Sequence, residues 1–413
     1  MSDRSQDVGL SPVGEASGRV WEDGAIELTI LMPCLNEART LPVCIEKARG
    51  FLARSGVVGE VLIADNGSTD GSQEIARAHG ARVEHVAAKG YGSALISGIR
   101  AARGHYVIMA DSDDSYDFGQ IDGFVAQLRE GWQLVMGNRF TGGIRPGAMP
   151  PLHRYLGNPV LTAIGRILYR SPCGDFHCGL RGFDRAAILG LDLHASGMEF
   201  ASEMVVKATV HRLRITEVPT TLSPDGRGRP PHLRSWRDGW RHLRLLMLFS
   251  PRGLFFYPGA VMFSVGMLAM LRLLAGPLII GSVGFDINTL VYVSAATIIG
   301  WQSMIFWVCA KIHGTREGIV PPDPAFERAF DDVTLERTLL ASLAVFLTGL
   351  LVAIGSVVGW GLVGFGALNP SHSMRLVILA ATTMLLAVQL AYGACFVAVL
   401  KIRRQQFGGG GMP

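Results

Sequence analysis

The stretch Asp111-Ser112-Asp113-Asp114-Ser115-Tyr116-Asp117 places four carboxylates directly after the apolar run Tyr106 to Ala110. Asp111 and Asp113, with one residue between them, can both turn oxygen ligands toward a hard divalent cation, and such a cation can bridge phosphates. The competing explanation is a solvated turn that caps the next helix, a position Asp and Ser favour. Asp65 poses the same choice. It opens the polar turn Asp65 to Ser72, where its carboxylate can accept hydrogen bonds from a base or ribose, or cap the helix that follows. Cys173, His177 and Cys178 are close enough to suggest zinc, but no second ligand pair follows at zinc spacing.

These residues need elements that bring them to one place. Ile26 to Leu35 alternates bulky apolar residues and predicts a strand, ended by Asn36-Glu37 before an amphipathic helix carrying Leu41, Ile45, Ala48 and Leu52. Glu60 to Ala64 is a second strand, and its polar turn leads into another helix. Arg82 to Ala87 comes next, then Lys89-Gly90-Tyr91-Gly92 opening a helix through Arg103, then the strand before the acidic stretch. Gln133 to Met136 precedes Gly137-Asn138-Arg139, and Ile215 to Leu222 gives a last strand. Strands alternating with helices predict an α/β fold with a mostly parallel sheet covered on both faces. In such sheets ligands bind beyond the carboxyl ends of the strands, where both acidic turns would lie. The glycines of Lys89-Gly90-Tyr91-Gly92 would let backbone approach a ligand. Their spacing is neither a dinucleotide fingerprint nor a Walker loop, so a nucleotide would be held another way.

Taken together, Pro33-x-x-Asn36-Glu37, Asp65-x-Gly67-Ser68-x-Asp70, Lys89-Gly90-Tyr91-Gly92, Asp111-x-Asp113 and Gly137-Asn138-Arg139 resemble the ordered motifs of family-2 inverting glycosyltransferases. The likeness covers roughly residues 26 to 250 and is greatest to the dolichyl-phosphate mannose synthase and bacterial polyprenyl-phosphate glucosyltransferase branch. The resemblance implies a nucleotide-sugar-binding, glycosyltransferase A-type, Rossmann-like domain. It further implies that Pro33, Asn36, Glu37, Asp65, Lys89, Gly90, Asp111 and Ser112 line the nucleotide sugar, and that Asp111 and Asp113 hold Mg²⁺ or Mn²⁺. Ser115 would complete the metal shell, although some relatives carry Gln there. Relatives that make lipid-linked sugars hold the acceptor phosphate with arginines matching Arg139 and Arg154, and a guanidinium does make bidentate, charge-assisted bonds to phosphate. Surface ion pairs are the plain alternative for both. Asp175, in Asp175-Phe176-His177-Cys178-Gly179-Leu180-Arg181-Gly182-Phe183, matches an aspartate near sugar and acceptor. Since a phosphate ester's second pKa is about 6, the acceptor needs positioning more than deprotonation, so Asp175 is expected to orient first and act as a base second. Glu199 and Glu203, four apart on a helical face, are either a further pair near the sugar or a solvated face.

Composition adds a second region. The 413 residues carry a net charge of +4, 49% hydrophobic residues and a mean hydropathy of +0.31, with the apolar excess concentrated after Pro251. Four apolar spans, near 254–275, 289–310, 338–360 and 376–400, each reach the roughly 20 residues that cross a bilayer core. Arg272 and Gln302 fall inside them. Lys and Arg are absent from 276–288 and 361–374, whereas Lys311, Arg316, Arg328, Arg337, Lys401, Arg403 and Arg404 lie on the other side. The positive-inside tendency then places the catalytic part, both termini and the middle loop in the cytoplasm. Ahead of the spans, Leu233, Trp236, Trp240, Leu243 and Met247 form an apolar stripe beside Arg234, Arg237, Arg241 and Arg244, as suits a helix at the membrane interface. Arg227, Arg229 and His232 precede it in a Pro/Gly-rich segment.

The expected organisation is a disordered lead-in over 1–25, a catalytic domain over 26–232, a juxtamembrane helix over 233–250, four membrane helices over 251–404 and a flexible tail over 405–413. The six cysteines show no paired framework and predict reduced thiols. The expected activity is metal-dependent, inverting transfer of a hexose from a UDP-glucose or GDP-mannose type donor to polyprenyl phosphate, with membrane lipid but no nucleic acid as partner. Another membrane-proximal glycan or lipid acceptor is the alternative. A processive polysaccharide synthase lacks support, because no Gln-x-x-Arg-Trp motif occurs, and the intact acidic stretch argues against an inactive scaffold.

Overall fold

A computed structural model describes residues 25–228, 235–316, 320, 323–331 and 333–401. The lead-in through residue 24, the positions Arg229, His232, Leu233 and Arg234, and Arg403, Arg404 and the tail 405–413 lie outside the described residues. The chain forms two compact units, Met1–Leu246 and Met247–Pro413.

In the first unit, β1 (Leu28–Cys34), β2 (Gly59–Asp65), β3 (Arg82–His85), β4 (Tyr106–Met109), β5 (Leu134–Asn138), β6 (Arg181–Asp184) and β7 (Ile215–Pro219) make one sheet in the order β3-β2-β1-β4-β6-β5-β7. Every residue of β1 is buried, as expected of a strand covered on both faces. Ile30, Met32 and Ile63 face α1 (Leu41–Ser55), which buries Leu41, Cys44, Ile45, Ala48 and Phe51. Leu31 and Ala64 face α3 (Tyr91–Ala101) on the other side. Gly98 lets α3 come close, since a Cβ there would strike the Leu31 side chain. Between these helices lies the short α2 (Ser72–Ala78), and α4 (Asp122–Arg129) covers the far half of the sheet with Phe124, Val125 and Leu128. The expected α/β architecture is therefore present.

One strand departs from the parallel pattern. β6 runs antiparallel between β4 and β5, with Arg181 opposite both Met109 and Met136. Its reversal puts the loop that precedes it, rather than the one that follows, at the carboxyl ends of β4 and β5. That loop carries Asp175. The remaining helices of the unit are α5 (Arg139–Gly142), α6 (Asn158–Tyr169, after a wide π-type turn at His153–Gly157), α7 (Arg185–Leu189), α8 (Phe200–Val210) and α9 (Ser235–Leu248).

The second unit contains α10 (Tyr257–Leu274), α11 (Ile287–Arg316), α12 (Pro324–Asp331), α13 (Leu335–Leu362) and α14 (Pro370–Lys401), with a small hairpin of β8 (Leu278–Ile280) and β9 (Val283–Phe285) between the first two. Four stretches, Arg252–Leu274, Ile287–Arg316, Leu335–Leu362 and Ser373–Lys401, are long and apolar enough to cross a membrane, and at most 22% of the most apolar window of each is buried in protein. Lipid is the environment that such outward-facing apolar surface requires. Small residues let the helices touch: a Cβ on Gly300 would strike the backbone of Phe263 and Gly259, and one on Gly349 would strike Met384 and Ala380. Neither the hairpin nor α12 shows in the hydropathy pattern. Near the hairpin, Arg375 pairs with Asp286 and donates to the Leu273 carbonyl.

Candidate active site

The acidic stretch divides its carboxylates. Asp114, at a left-handed φ of 62°, turns away to bond Lys47 at 2.6 Å, and Asp117 caps the next turn by accepting from the Gly119 N–H. Asp111 and Asp113 stay at the sheet edge. Asp113 accepts from the Ser115 N–H at 3.0 Å and from Arg227 at 2.8 Å, and the same guanidinium reaches Glu37 at 2.9 Å. Arg227 arrives on a segment laid along the acidic stretch, with Gly226 N bonded to Asp113 O and Ser223 N to Ser115 O, each at 2.9 Å. Ser112 contributes structure: its hydroxyl donates to the Pro33 carbonyl at 2.7 Å, while its own carbonyl accepts from Thr40 at 2.7 Å. The ends of β1 and β4 are thereby stapled together.

Burial, then the neighbouring Asp113 charge, pushes the Asp111 carboxyl up to about 6, and Arg227 and the Tyr91 hydroxyl only partly offset this. Among the described residues no three or more His, Cys, Asp and Glu side chains converge into a self-sufficient metal cage. Two crowded carboxylates do fit a hard cation that takes its remaining ligands from diphosphate oxygens and water, as Mg²⁺ and Mn²⁺ do.

At the end of β2, Asp65 is turned onto its own loop. Its carboxylate accepts from the N–H groups of Gly67 and Ser68 and from Gln73 at 2.7 Å, which closes its own turn, while α2 begins after Gly71 without a side-chain cap. Asn36, at φ 59°, accepts from the Thr69 N–H, so the β1 and β2 turns are tied together. Asn66 was not expected to matter. Its side chain donates to the carbonyls of Val86 and Ala88 and accepts from the Gly90 N–H, while Lys89 donates to its backbone carbonyl. The glycines after Lys89 require a correction: the backbone they admit is the chain's own. A Cβ on Gly90 would strike the Ser196 carbonyl and one on Gly92 the Ala195 carbonyl, and Ser93 N bonds Ser196 O.

Across the crevice Arg139 and Asp175 form a buried pair. The Arg139 Nε and Nη2 each lie 2.7 Å from a carboxylate oxygen of Asp175, and the Arg139 N–H adds a third bond at 3.2 Å. Both Asp175 oxygens are thus engaged in holding Arg139. Glu217, on β7, sets the stage by accepting from the N–H groups of Gly174 and Asp175 and from Asn138, which itself caps α5. Arg181 is fully buried and donates to three carbonyls, those of Cys178, Ala201 and Phe176. Arg154 makes no ion pair among the described residues and lies 5.5 Å from the Tyr155 ring. The pKa of its neighbour His153 is lowered by burial and then by the charge of Arg139.

Tyr116 joins the two sides. Its hydroxyl accepts from the Gly179 N–H at 2.9 Å, and a Cβ on Gly179 would lie 2.9 Å from Asp111 Oδ2. Both Asp111 and Arg139 act electrostatically on Tyr116. The acidic stretch and the Arg139–Asp175 pair therefore share one crevice.

Glu199 and Glu203 do not form a solvated face. Glu203 is buried, accepts from the N–H groups of His194 and Ala195, and pairs with Lys207 at 2.9 Å. Ser202 of α8 bonds His242 of α9 at 2.8 Å and His177 at 3.3 Å. α9 turns Asp238, His242 and Leu246 inward, while Trp236 (83% exposed) and Trp240 (58%) face out. All six cysteines are free thiols, and burial pushes Cys178 up to about 11.

Comparison with known proteins identifies the family. Residues 29–190 match the glycosyl transferase family 2 pattern, and 308–401 match the glycosyltransferase family 2 C-terminal transmembrane region. The chain is 34% identical over 382 residues to the low-salt glycan biosynthesis hexosyltransferase Agl6 of Haloferax volcanii, covering 92% of this chain and 90% of that one. A dolichyl-phosphate hexose transferase of the same organism is 29% identical over 160 residues, covering 39% of this chain and 68% of that one. Among solved structures, glucosyl-3-phosphoglycerate synthase from Mycobacterium tuberculosis, in complex with Mn²⁺, UDP and glucosyl-3-phosphoglycerate, aligns with a TM-score of 0.42 and 24% identity over 54% of this chain and 77% of that one. The chain belongs to glycosyltransferase family 2 and is a glycosyltransferase with a C-terminal transmembrane region.

Proposed function

We propose that this enzyme transfers a hexose from a nucleotide diphosphate sugar to a polyprenyl phosphate at the cytoplasmic membrane face, in one inverting displacement. One observation carries the reading: paired carboxylates suited to a cation and a preorganised arginine suited to a phosphate line the same crevice, in a chain with four membrane-length helices. The name of the dolichyl-phosphate hexose transferase relative supports such an acceptor.

Asp111 and Asp113 would hold Mg²⁺ or Mn²⁺, which when bound supplies charge neutralisation to the departing diphosphate. Arg227, already between Glu37 and Asp113, adds a fixed cation on the same side. On the other side, Asp175 occupies the Nε–Nη2 edge of the Arg139 guanidinium, and Nη1 would donate to the acceptor phosphate, with Arg154 as second donor. The acceptor oxygen is already ionised at neutral pH, so these groups position it rather than deprotonate it. α9, with Trp236 and Trp240 outward, would lie in the headgroup layer, and the termini and middle loop would face the cytoplasm.

Incubating membranes that contain the enzyme with labelled UDP-glucose or GDP-mannose and undecaprenyl phosphate tests this directly. A chloroform-soluble, mild-acid-labile product bearing one sugar is expected. Label found only in water-soluble glycan or polymer would overturn the acceptor.

A further inference from the structure

The transmembrane unit contains a cavity of about 640 Å³ that the transfer chemistry does not use. Its size falls within the roughly 300–1,000 Å³ of small-molecule sites. One wall is a stripe of α14 at helical spacing, Leu390, Gly393, Ala394, Val397, Ala398 and Lys401. Facing it, α11 contributes Trp301, Met304, Ile305 and Val308. At Gly393 the two helices touch, because a Cβ there would strike Ile305. From Leu390 to Lys401 the slot runs roughly 16 Å at the helical rise. Phe256 and Phe330 close one side, held in an aromatic cluster with Trp307 and Phe326.

Charge is concentrated at one end. Lys401 lines the slot, and Arg316 donates to the carbonyls of Leu400 and Lys401, which adds a second cation there. One turn beyond Val308, Lys311 pairs with Asp323, and Arg252 approaches the same carboxylate at 3.7 Å. Of these four cations Lys311 and Arg252 approach Asp323; exposed Glu327 and Glu336 are each followed in sequence by an arginine, Arg328 and Arg337. The lining is otherwise almost wholly apolar.

We propose that this slot holds the isoprenoid chain of a polyprenyl phosphate before transfer, with the phosphate at the Lys401 end until it passes to Arg139 and Arg154; the identity of the lipid rests on the acceptor proposed above. A single chain with an anionic head matches both the one narrow slot and its one-ended charge, whereas a phospholipid brings two chains and a glycerol.

Full-length enzyme in phosphatidylcholine nanodiscs, irradiated with a diazirine-bearing polyprenyl phosphate and mapped by mass spectrometry, provides the test. Crosslinks should fall on 301–308 and 390–401. Excess unlabelled polyprenyl phosphate should suppress them, and phosphatidylglycerol should not. Ala394→Trp should fill the slot, cut labelling at least tenfold and raise the KM for long-chain acceptor, while the KM values for nucleotide sugar and for a ten-carbon prenyl phosphate stay put. Lys401→Glu, which fills nothing, should lower labelling several-fold, and Leu351→Trp on the exposed face of α13 should not change it. Crosslinks scattered over lipid-facing residues, equal competition by phosphatidylglycerol, or unchanged labelling in both Ala394→Trp and Lys401→Glu would overturn the site. The two readings fail differently. A wrong acceptor leaves slot labelling intact but yields no lipid-linked sugar, and a wrong slot leaves transfer intact with labels elsewhere.

Discussion

Asp111 and Asp113 follow β4, and Asp175 sits on the loop that enters β6, so all three reach the carboxyl edge of the parallel strands, yet their charges are handled in opposite ways. Asp175 is matched oxygen for nitrogen by Arg139. Asp111 is crowded by Asp113, and Arg227 is the guanidinium bonded to the acidic side. The first is a closed pair that fixes geometry, and the second is an electrostatic deficit that a bound cation would relieve. A site that joins two anionic substrates, as proposed for this one, needs both: a rigid side to aim the acceptor, and a side whose charge is completed only when the donor arrives.

Removing one carboxylate should break the open side most severely. Asp113→Ala is expected to lower transfer by at least about a thousandfold while the protein still inserts into membranes, read as lipid-linked product per unit of membrane-embedded enzyme. Turnover retained without added metal would take the cation out of the mechanism. On the closed side, Asp175→Ala strands a buried guanidinium and should cost about 3–5 kcal/mol of stability in the catalytic unit. Replacing both partners, as in Arg139→Met with Asp175→Leu, should recover much of that stability and none of the transfer. If the double variant transfers sugar, the pair is structural only. Arg154→Ala should raise the KM for lipid acceptor by roughly tenfold to a hundredfold, with little change for the nucleotide sugar, since one charge-assisted contact is removed. Equal effects on both substrates would count against its place beside the phosphate.

The smallest effect concerns protons. With its pKa at about 6, Asp111 is largely protonated at pH 5 and ionised at pH 7. A proton and a cation then compete for the same oxygens, so Mn²⁺ binding should weaken as pH falls through 6, by up to about tenfold per unit below it. Asp111→Asn should bind weakly with no such slope. Calorimetric titration with Mn²⁺ between pH 5 and 7 distinguishes these outcomes, and a flat wild-type profile would contradict the crowding.

Much of this was legible in the residues. Strands such as Leu28–Cys34 are apolar runs with polar turns behind them, and the alternation with helices dictates the parallel sheet. β6 was hidden because Arg181-Gly182-Phe183-Asp184 has no apolar alternation and holds its place through pairing with two neighbours. The Arg139–Asp175 contact was equally hidden, as no local pattern joins residues 36 apart in the chain. Arg227, Glu217 and Asn66 went unseen as site residues for a related reason: each acts through loops that only the folded sheet brings together. Glu203 illustrates the reverse error. A charged residue at helical spacing suggests a wet face, but here the carboxylate binds two backbone N–H groups and Lys207 in the interior.

Arg181 has a further consequence. Its guanidinium is held by peptide oxygens instead of a carboxylate, so its full positive charge is retained inside the protein. Burial lowers the pKa values of His177 and His242 most, and the Arg181 charge next door adds to it. Deep charge of this kind is shielded by salt far less than a surface lysine, and it gives the pocket floor a standing attraction for anions. In the proposed transfer both reactants carry phosphate, so the same buried residue would draw each of them inward before either had touched a binding group.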